Sequence, residues 1–178
     1  MLGSLISKVY LNVLAFSVLL FSNYTGNIVD FSSLLTKTVG DNLVCSTYLT
    51  NAFENDFDEI FKSGKEIRVW FEFRALKDNK VIHYEKFYHQ VKWNAGKQEY
   101  QLNLQEQNYK TNTKSVKELK YLLSVVEYPF YKANHNGNVV IEVNAYLPKI
   151  YLETISKEVD LMLLWKMKKP SIRKEVRL

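Results

Sequence analysis

The stretch Ile67-Arg-Val-Trp-Phe-Glu-Phe-Arg74 decides the fold. Ile67, Val69, Phe71 and Phe73 alternate strictly with Arg68, Trp70, Glu72 and Arg74. A period of two belongs to a β-strand with one face on a core and the other face wetter. Working outward, Lys77-Asp-Asn-Lys80 is a polar turn, so a hairpin leads into a long strand over residues 81–93. Asn94-Ala-Gly-Lys97 turns the chain again into residues 99–105, with Tyr100, Leu102 and Leu104 inward. These three strands read as an antiparallel meander. Upstream, residues 43–50 alternate, with Leu43, Cys45, Thr47 and Leu49 on one face. Downstream, residues 139–147 place Val139, Ile141, Val143, Ala145 and Leu147 inward, and Pro148 closes the strand. Residues 160–167 read as a final strand, ended by Lys168-Lys169-Pro170.

Two segments change period. In residues 53–64, Phe53, Phe57, Ile60 and Phe61 recur at helical spacing, Asn51 can cap the start, and Gly64 ends the run. In residues 113–126, Val116, Leu119, Leu122 and Leu123 share one side. Thr113 or Ser115 can cap that helix, and Pro129 stops it. The expected fold is therefore α+β and β-rich: an antiparallel sheet or sandwich-like domain with two short helices. Regular strand–helix alternation is absent, which excludes a parallel doubly wound sheet.

The 178 residues are one domain's worth of chain. Residues 1–22 read as a signal peptide or membrane anchor, with a hydrophobic helix at the start of the chain. Lys8 is their only charge, and the apolar run over residues 9–21 is broken only by Asn12 and Ser17. That run is short for a membrane-spanning helix, which needs about 20 apolar residues. Residues 23–41 read as a linker, 42–168 as a single β-rich domain, and 169–178 as a basic tail. The expected location is outside the cytoplasm: the periplasm, or the inner membrane facing outward.

Motifs for chemistry are missing. The single cysteine, Cys45, excludes a disulfide framework and a cysteine-cluster metal site. As part of an alternating strand it reads as an inert core thiol, with pairing between chains as the other reading. His83 and His89 share a strand face but lie roughly 20 Å apart in extended chain, too far for one metal without a bulge. Both read as surface or half-buried. The chain has no G-x-S-x-G elbow, no H-E-x-x-H and no phosphate-binding glycine loop. No catalytic, metal or cofactor residues are assigned, and no cofactor is expected.

The net charge of +5 lies wholly in residues 166–178. Lys166, Lys168, Lys169, Arg173, Lys174 and Arg177 are candidates for contact with an anionic membrane or cell-wall surface, the other reading being a solvated end. Nucleic acid is not expected, because these cations are not interleaved with aromatics on a predicted platform. Arg68, Trp70 and Arg74 are candidates for binding a protein partner in the envelope, since Trp and Arg are enriched at interface hot spots. The competing reading buries Trp70 beneath the second helix.

Several stretches, in order, resemble an uncharacterised family of exported bacterial envelope proteins known only as a domain of unknown function. They are Ser63-Gly-Lys-Glu-Ile67, Val69-Trp-Phe-Glu-Phe-Arg74, Gln98-Glu-Tyr-Gln-Leu102, a helix starting near Ser115, Leu147-Pro148 and Val159-Asp-Leu-Met-Leu-Leu-Trp-Lys166. The family's usual second tryptophan near the end of the chain has no counterpart. The resemblance implies an envelope location and a β-rich domain, and supplies no catalytic residues. Three functions follow as expectations: a non-enzymatic protein binding another envelope component through a sheet face or edge, a carrier or sensor of a small apolar ligand between sheet and second helix, and, third, an enzyme.

Overall fold

Strand β4 (Ile67–Lys77) lies third in a six-stranded antiparallel sheet ordered β12-β9-β4-β5-β6-β7. Its partners are β5 (Lys80–Asn94), β6 (Glu99–Leu104), β7 (Tyr109–Thr113), β9 (Asn138–Tyr146) and β12 (Ser171–Arg177). This computed structural model describes residues 26–54, 57–131, 135–152 and 157–178, so the expected export segment lies outside the described residues. Ile67, Val69, Phe71, Phe73 and Ala75 are fully buried, as the alternation requires. The register then fixes the rest of that face: Phe87, His89 and Val91 on β5, and Ile141, Val143 and Ala145 on β9.

A second layer packs on this inner face. Its sheet is built around β3 (Asn42–Thr50), with β1 (Asp30–Phe31) and β2 (Leu35–Val39) along one side and β8 (Val125–Tyr131) along the other. Phe73 of β4 meets Tyr128 of β8 at 4.5 Å between ring centres, and Phe87 stacks on Tyr128 at 5.5 Å. Helices α1 (Phe57–Lys62) and α2 (Val116–Ser124) fill the remainder with Phe57, Ile60 and Phe61, and with Leu119 and Leu123. The Ser115 side chain caps α2 by accepting from the Glu118 amide at 3.2 Å. The chain is thus β-rich, with antiparallel sheets and two α-helices among the described residues.

Four sequence readings are corrected. Residues 23–41 are not a linker throughout: β1 and β2 pair with β3, and the Asn27 amide donates to the Leu164 carbonyl at 2.7 Å. On β2 the exposed positions include Leu35 and Val39, the inverse of the usual pattern, which hides the strand. Residues 160–167 are not a strand. Lys157–Asp160 is a strand, β11, paired with β10 (Lys149–Leu152), and Leu161–Trp165 is a turn of 3₁₀ helix capped by Asp160. An unbroken apolar run of five has no period to separate the two. The tail at 169–178 is chiefly strand β12, in register with β9 from Ser171↔Asn144 to Arg177↔Asn138. The domain therefore extends beyond both ends of the expected 42–168. Lastly, residues 125–126 leave the second helix and begin β8.

Trp165 ties these parts together. It is fully buried against Phe53, and its Nε1–H donates to the Ala52 carbonyl at 2.9 Å. Gly26 sits against the same turn with φ +64°; a Cβ there would lie 2.8 Å from Lys166 Cγ and 3.0 Å from the Leu163 carbonyl. Only glycine combines that backbone with that approach at no cost.

Candidate functional site

The outer face of the six-stranded sheet carries the other half of each alternating strand. On β4 these are Arg68, Trp70, Glu72 and Arg74; the register sets Gln90, Tyr88, Lys86 and Tyr84 beside them on β5. On β9 it sets Tyr146 beside Trp70, Asn144 beside Glu72, and Glu142 beside Arg74. Tyr146, Trp70 and Tyr88 therefore form one row across three adjacent strands. Trp70 is half-buried on this face and not beneath α2, because α2 packs on the opposite, inner face.

Cations stand beside the rings. Lys86 lies 4.5 Å from the Trp70 ring centre and 5.4 Å from that of Tyr146. Lys169 lies 4.6 Å from the Tyr146 ring and Arg68 4.8 Å from the Tyr88 ring. Trp70 and Tyr88 meet edge to face at 5.1 Å and 69°. Such contacts hold side chains on an open sheet that would otherwise sweep many rotamers. Hydrogen bonding to Tyr146 raises the Lys86 pKa above its usual value, so its charge is secure at neutral pH.

Along the same face, Glu142 is nearly inaccessible and organises three groups. It pairs with Arg173 of β12, lies 3.5 Å from Arg74, and accepts from Asn144 at 2.9 Å. Burial pushes its carboxyl upward, but the bonds from Asn144 and Arg173 and the charges of Arg173 and Arg74 outweigh that and lower its pKa. Beyond this cluster, Leu76, Val140, Asn138, Arg173 and Glu175 line an open recess of about 260 Å³.

The basic candidates separate. Lys169 and Arg173 reach the outer face, and Arg177 shares it by register. Lys166 and Lys168 sit on the turn before β12, exposed. Lys174 belongs to the opposite side of β12, half-buried and close enough to influence Cys45. The basic segment is thus not one detachable cluster. Part of it is delivered beside the aromatic row. Arg68, Trp70 and Arg74 do share one face; Lys169, already one of the basic candidates, joins it, and Tyr88, Lys86 and Tyr146 complete it and were missed. Only inter-strand register brings them there, and sequence alternation within one strand does not reveal it.

Among the described residues, the titratable groups of the interior are shut away from solvent. Cys45 is 2% exposed, and burial pushes its thiol up to about 12. It pairs in register with Tyr128, whose own pKa burial raises to about 12. The His83 Nε2 lies 2.8 Å from that Tyr128 hydroxyl. His83 is half-buried as expected, but His89 is not: it is fully buried, a correction whose cause is a built-in set of partners. Its Nδ1 lies 3.1 Å from the Leu123 carbonyl, which can only accept, so Nδ1 carries a proton. Its Nε2 lies 2.9 Å from Glu106 Oε1, and a hydrogen bond there needs one more proton between them. Both side chains are wholly enclosed, so no substrate reaches the pair. The space between sheet and α2 is occupied by His89, Leu119 and Leu123. Among the described residues no group of three or more His, Cys, Asp or Glu is placed to hold a metal ion.

No protein-family model matches the chain, and no curated protein matches it.

Proposed function

We propose that this is a non-enzymatic, exported, sandwich-like binding protein that holds another envelope component on the outer face of its six-stranded sheet. The observation that carries the reading is the Tyr146–Trp70–Tyr88 row, with Lys86, Lys169 and Arg68 set against its rings. Trp, Tyr and Arg are the side chains most enriched at binding hot spots. They stand here on strands, which hold a recognition surface more firmly than loops do. The carrier reading has weaker support: core side chains fill the space between the six-stranded sheet and α2, and the recess of about 190 Å³ between β3 and α2, lined by Tyr48, Asn51, Lys120, Tyr121 and Ser124 among others, is open and edged with polar groups.

The test is site-directed photocrosslinking in the native cell. A crosslinkable residue at exposed Tyr84, on this face, is compared with one at exposed Tyr121, on α2. Adducts from position 84 and not from 121 support the face; equal yields, or none, overturn it. Export is tested by fractionation with amino-terminal sequencing, and recovery of intact Met1 in the cytosol overturns that part.

A further inference from the structure

The outer face limits the chemistry of what it can hold. Its central acids are engaged within the protein: Glu142 with Arg74 and Arg173, Glu72 with Arg74, Glu66 with Arg68. Lys86 and Lys169 instead lean on rings. The accessible charge around the aromatic row is therefore positive, and the complement is an anion. The neighbours of the row are amides. Gln90 lies beside Arg68 and accepts from its Nε–H at 3.0 Å, Asn103 lies across from Gln90, and Asn144 is set next to Lys86's partner Glu72. By register no aliphatic side chain adjoins the row; Leu76 and Val140 lie at the far end.

These features separate the ligand classes. The core of a protein interface is apolar and depleted of charge, whereas here each ring has a cation beside it. Sandwiching a nucleobase needs a free ring face, but Trp70 has Lys86 over it and Tyr88 against it, and Tyr146 has two ammonium groups near it. A second copy would set positive face against positive face. An anionic membrane would attract the cations, but it presents no hydroxyl-bearing chain to the amides beside the row, and no aliphatic side chain stands there to enter its acyl region. An acidic sugar polymer fits: carboxylates for the cations, hydroxyls for the amides and tyrosines. The three rings span about 10 Å at normal strand spacing, comparable with a disaccharide.

We infer that the outer face binds an acidic polysaccharide along the Tyr146–Trp70–Tyr88 row, with its carboxylates at Lys86 and Lys169. The inference rests on the reading that this face is the working surface.

The test is affinity electrophoresis of the full chain in gels containing polygalacturonate, neutral dextran, poly-L-glutamate or a thymidine oligonucleotide. Polygalacturonate should retard the protein in a salt-sensitive way and dextran should not. The double variant Lys86→Glu with Lys169→Glu should bind about tenfold more weakly. Lys62→Glu with Lys117→Glu, exposed on the two helices, should bind as the parent does. Circular dichroism checks folding, and Lys86→Met is the milder variant should the double one unfold; it should also weaken retardation. No retardation by polygalacturonate, equal retardation by poly-L-glutamate, stronger retardation by the oligonucleotide, or equal loss in the helix double variant each overturns the inference. Adducts from position 84 without polygalacturonate binding would remove the polysaccharide and keep the face; absence of both removes both.

Discussion

Glu142 shows how one buried carboxylate can organise an open surface. Its oxygens receive Asn144 and Arg173 and lie beside Arg74, joining β9, β4 and β12. Removing the charge leaves two guanidinium groups facing a neutral neighbour. Glu142→Gln should therefore cost about 2 kcal/mol at pH 7, a value held down by the exposure of Arg173. The pH dependence has a definite sign. The folded pKa lies below the unfolded one, so the unfolded chain binds more protons in the window between them. The contribution is complete above the ordinary carboxylate range and disappears as pH falls through the folded value. Urea midpoints of parent and variant should thus converge on acidification; a constant gap would contradict the assignment. Cys45 makes an opposite case, a group whose burial removes chemistry. With its pKa near 12, it should resist a thiol reagent in the native protein and react fully in urea. A dimer on a non-reducing gel would show instead that it pairs between chains.

At the scale of elements, β12 is the segment whose meaning changed most. Its alternation, Ser171, Arg173, Glu175 and Arg177 outward against Ile172, Lys174 and Val176, is masked by Lys174 on the inner side. Deleting residues 171–178 removes the burial of Val176, the packing of Ile172 and the Arg173–Glu142 pair. The expected loss is about 4 kcal/mol, read as a lower urea midpoint; an unchanged midpoint would return the segment to a free tail. The same contrast explains what was legible. Strands β4, β6 and β9 were readable because each has one wholly apolar face and a short or well-marked turn. The helix over residues 116–124 was readable from its spacing and its Ser115 cap. The segments that escaped lacked a contrast between faces: β2 with its exposed leucine and valine, β8 continuing an apolar run out of α2, and the featureless Leu161–Trp165. The site was legible only as far as β4 reaches. Arg68, Trp70 and Arg74 follow from alternation, but Tyr88, Lys86 and Tyr146 enter through pairing register, and Lys169 through recognition of β12.

For the whole molecule, the six-stranded sheet divides two tasks between its faces, and neighbouring residues on β4 separate them. Phe71 is fully buried, stacked on Phe87 at 5.8 Å and tilted against His89 at 4.7 Å. Trp70, one residue earlier, touches Tyr88 and Lys86 on the open face. Truncating Phe71 to alanine opens a cavity where two layers meet, and large-to-small changes of this kind cost about 3–5 kcal/mol. Truncating Trp70 removes cross-strand and cation–ring contacts on a solvated surface, about 1 kcal/mol. Binding should rank them the other way. Trp70→Ala should keep a cooperative unfolding transition near that of the parent while losing retardation by polygalacturonate and adducts from position 84. Phe71→Ala should unfold at clearly lower urea, yet bind as the parent does wherever it remains folded. The two variants differ by one position in sequence and by the thickness of the sheet in space, so the comparison controls for local chain context. If Trp70→Ala lost stability as Phe71→Ala does and kept its binding, the outer face would be a structural surface, and the division of labour would be wrong.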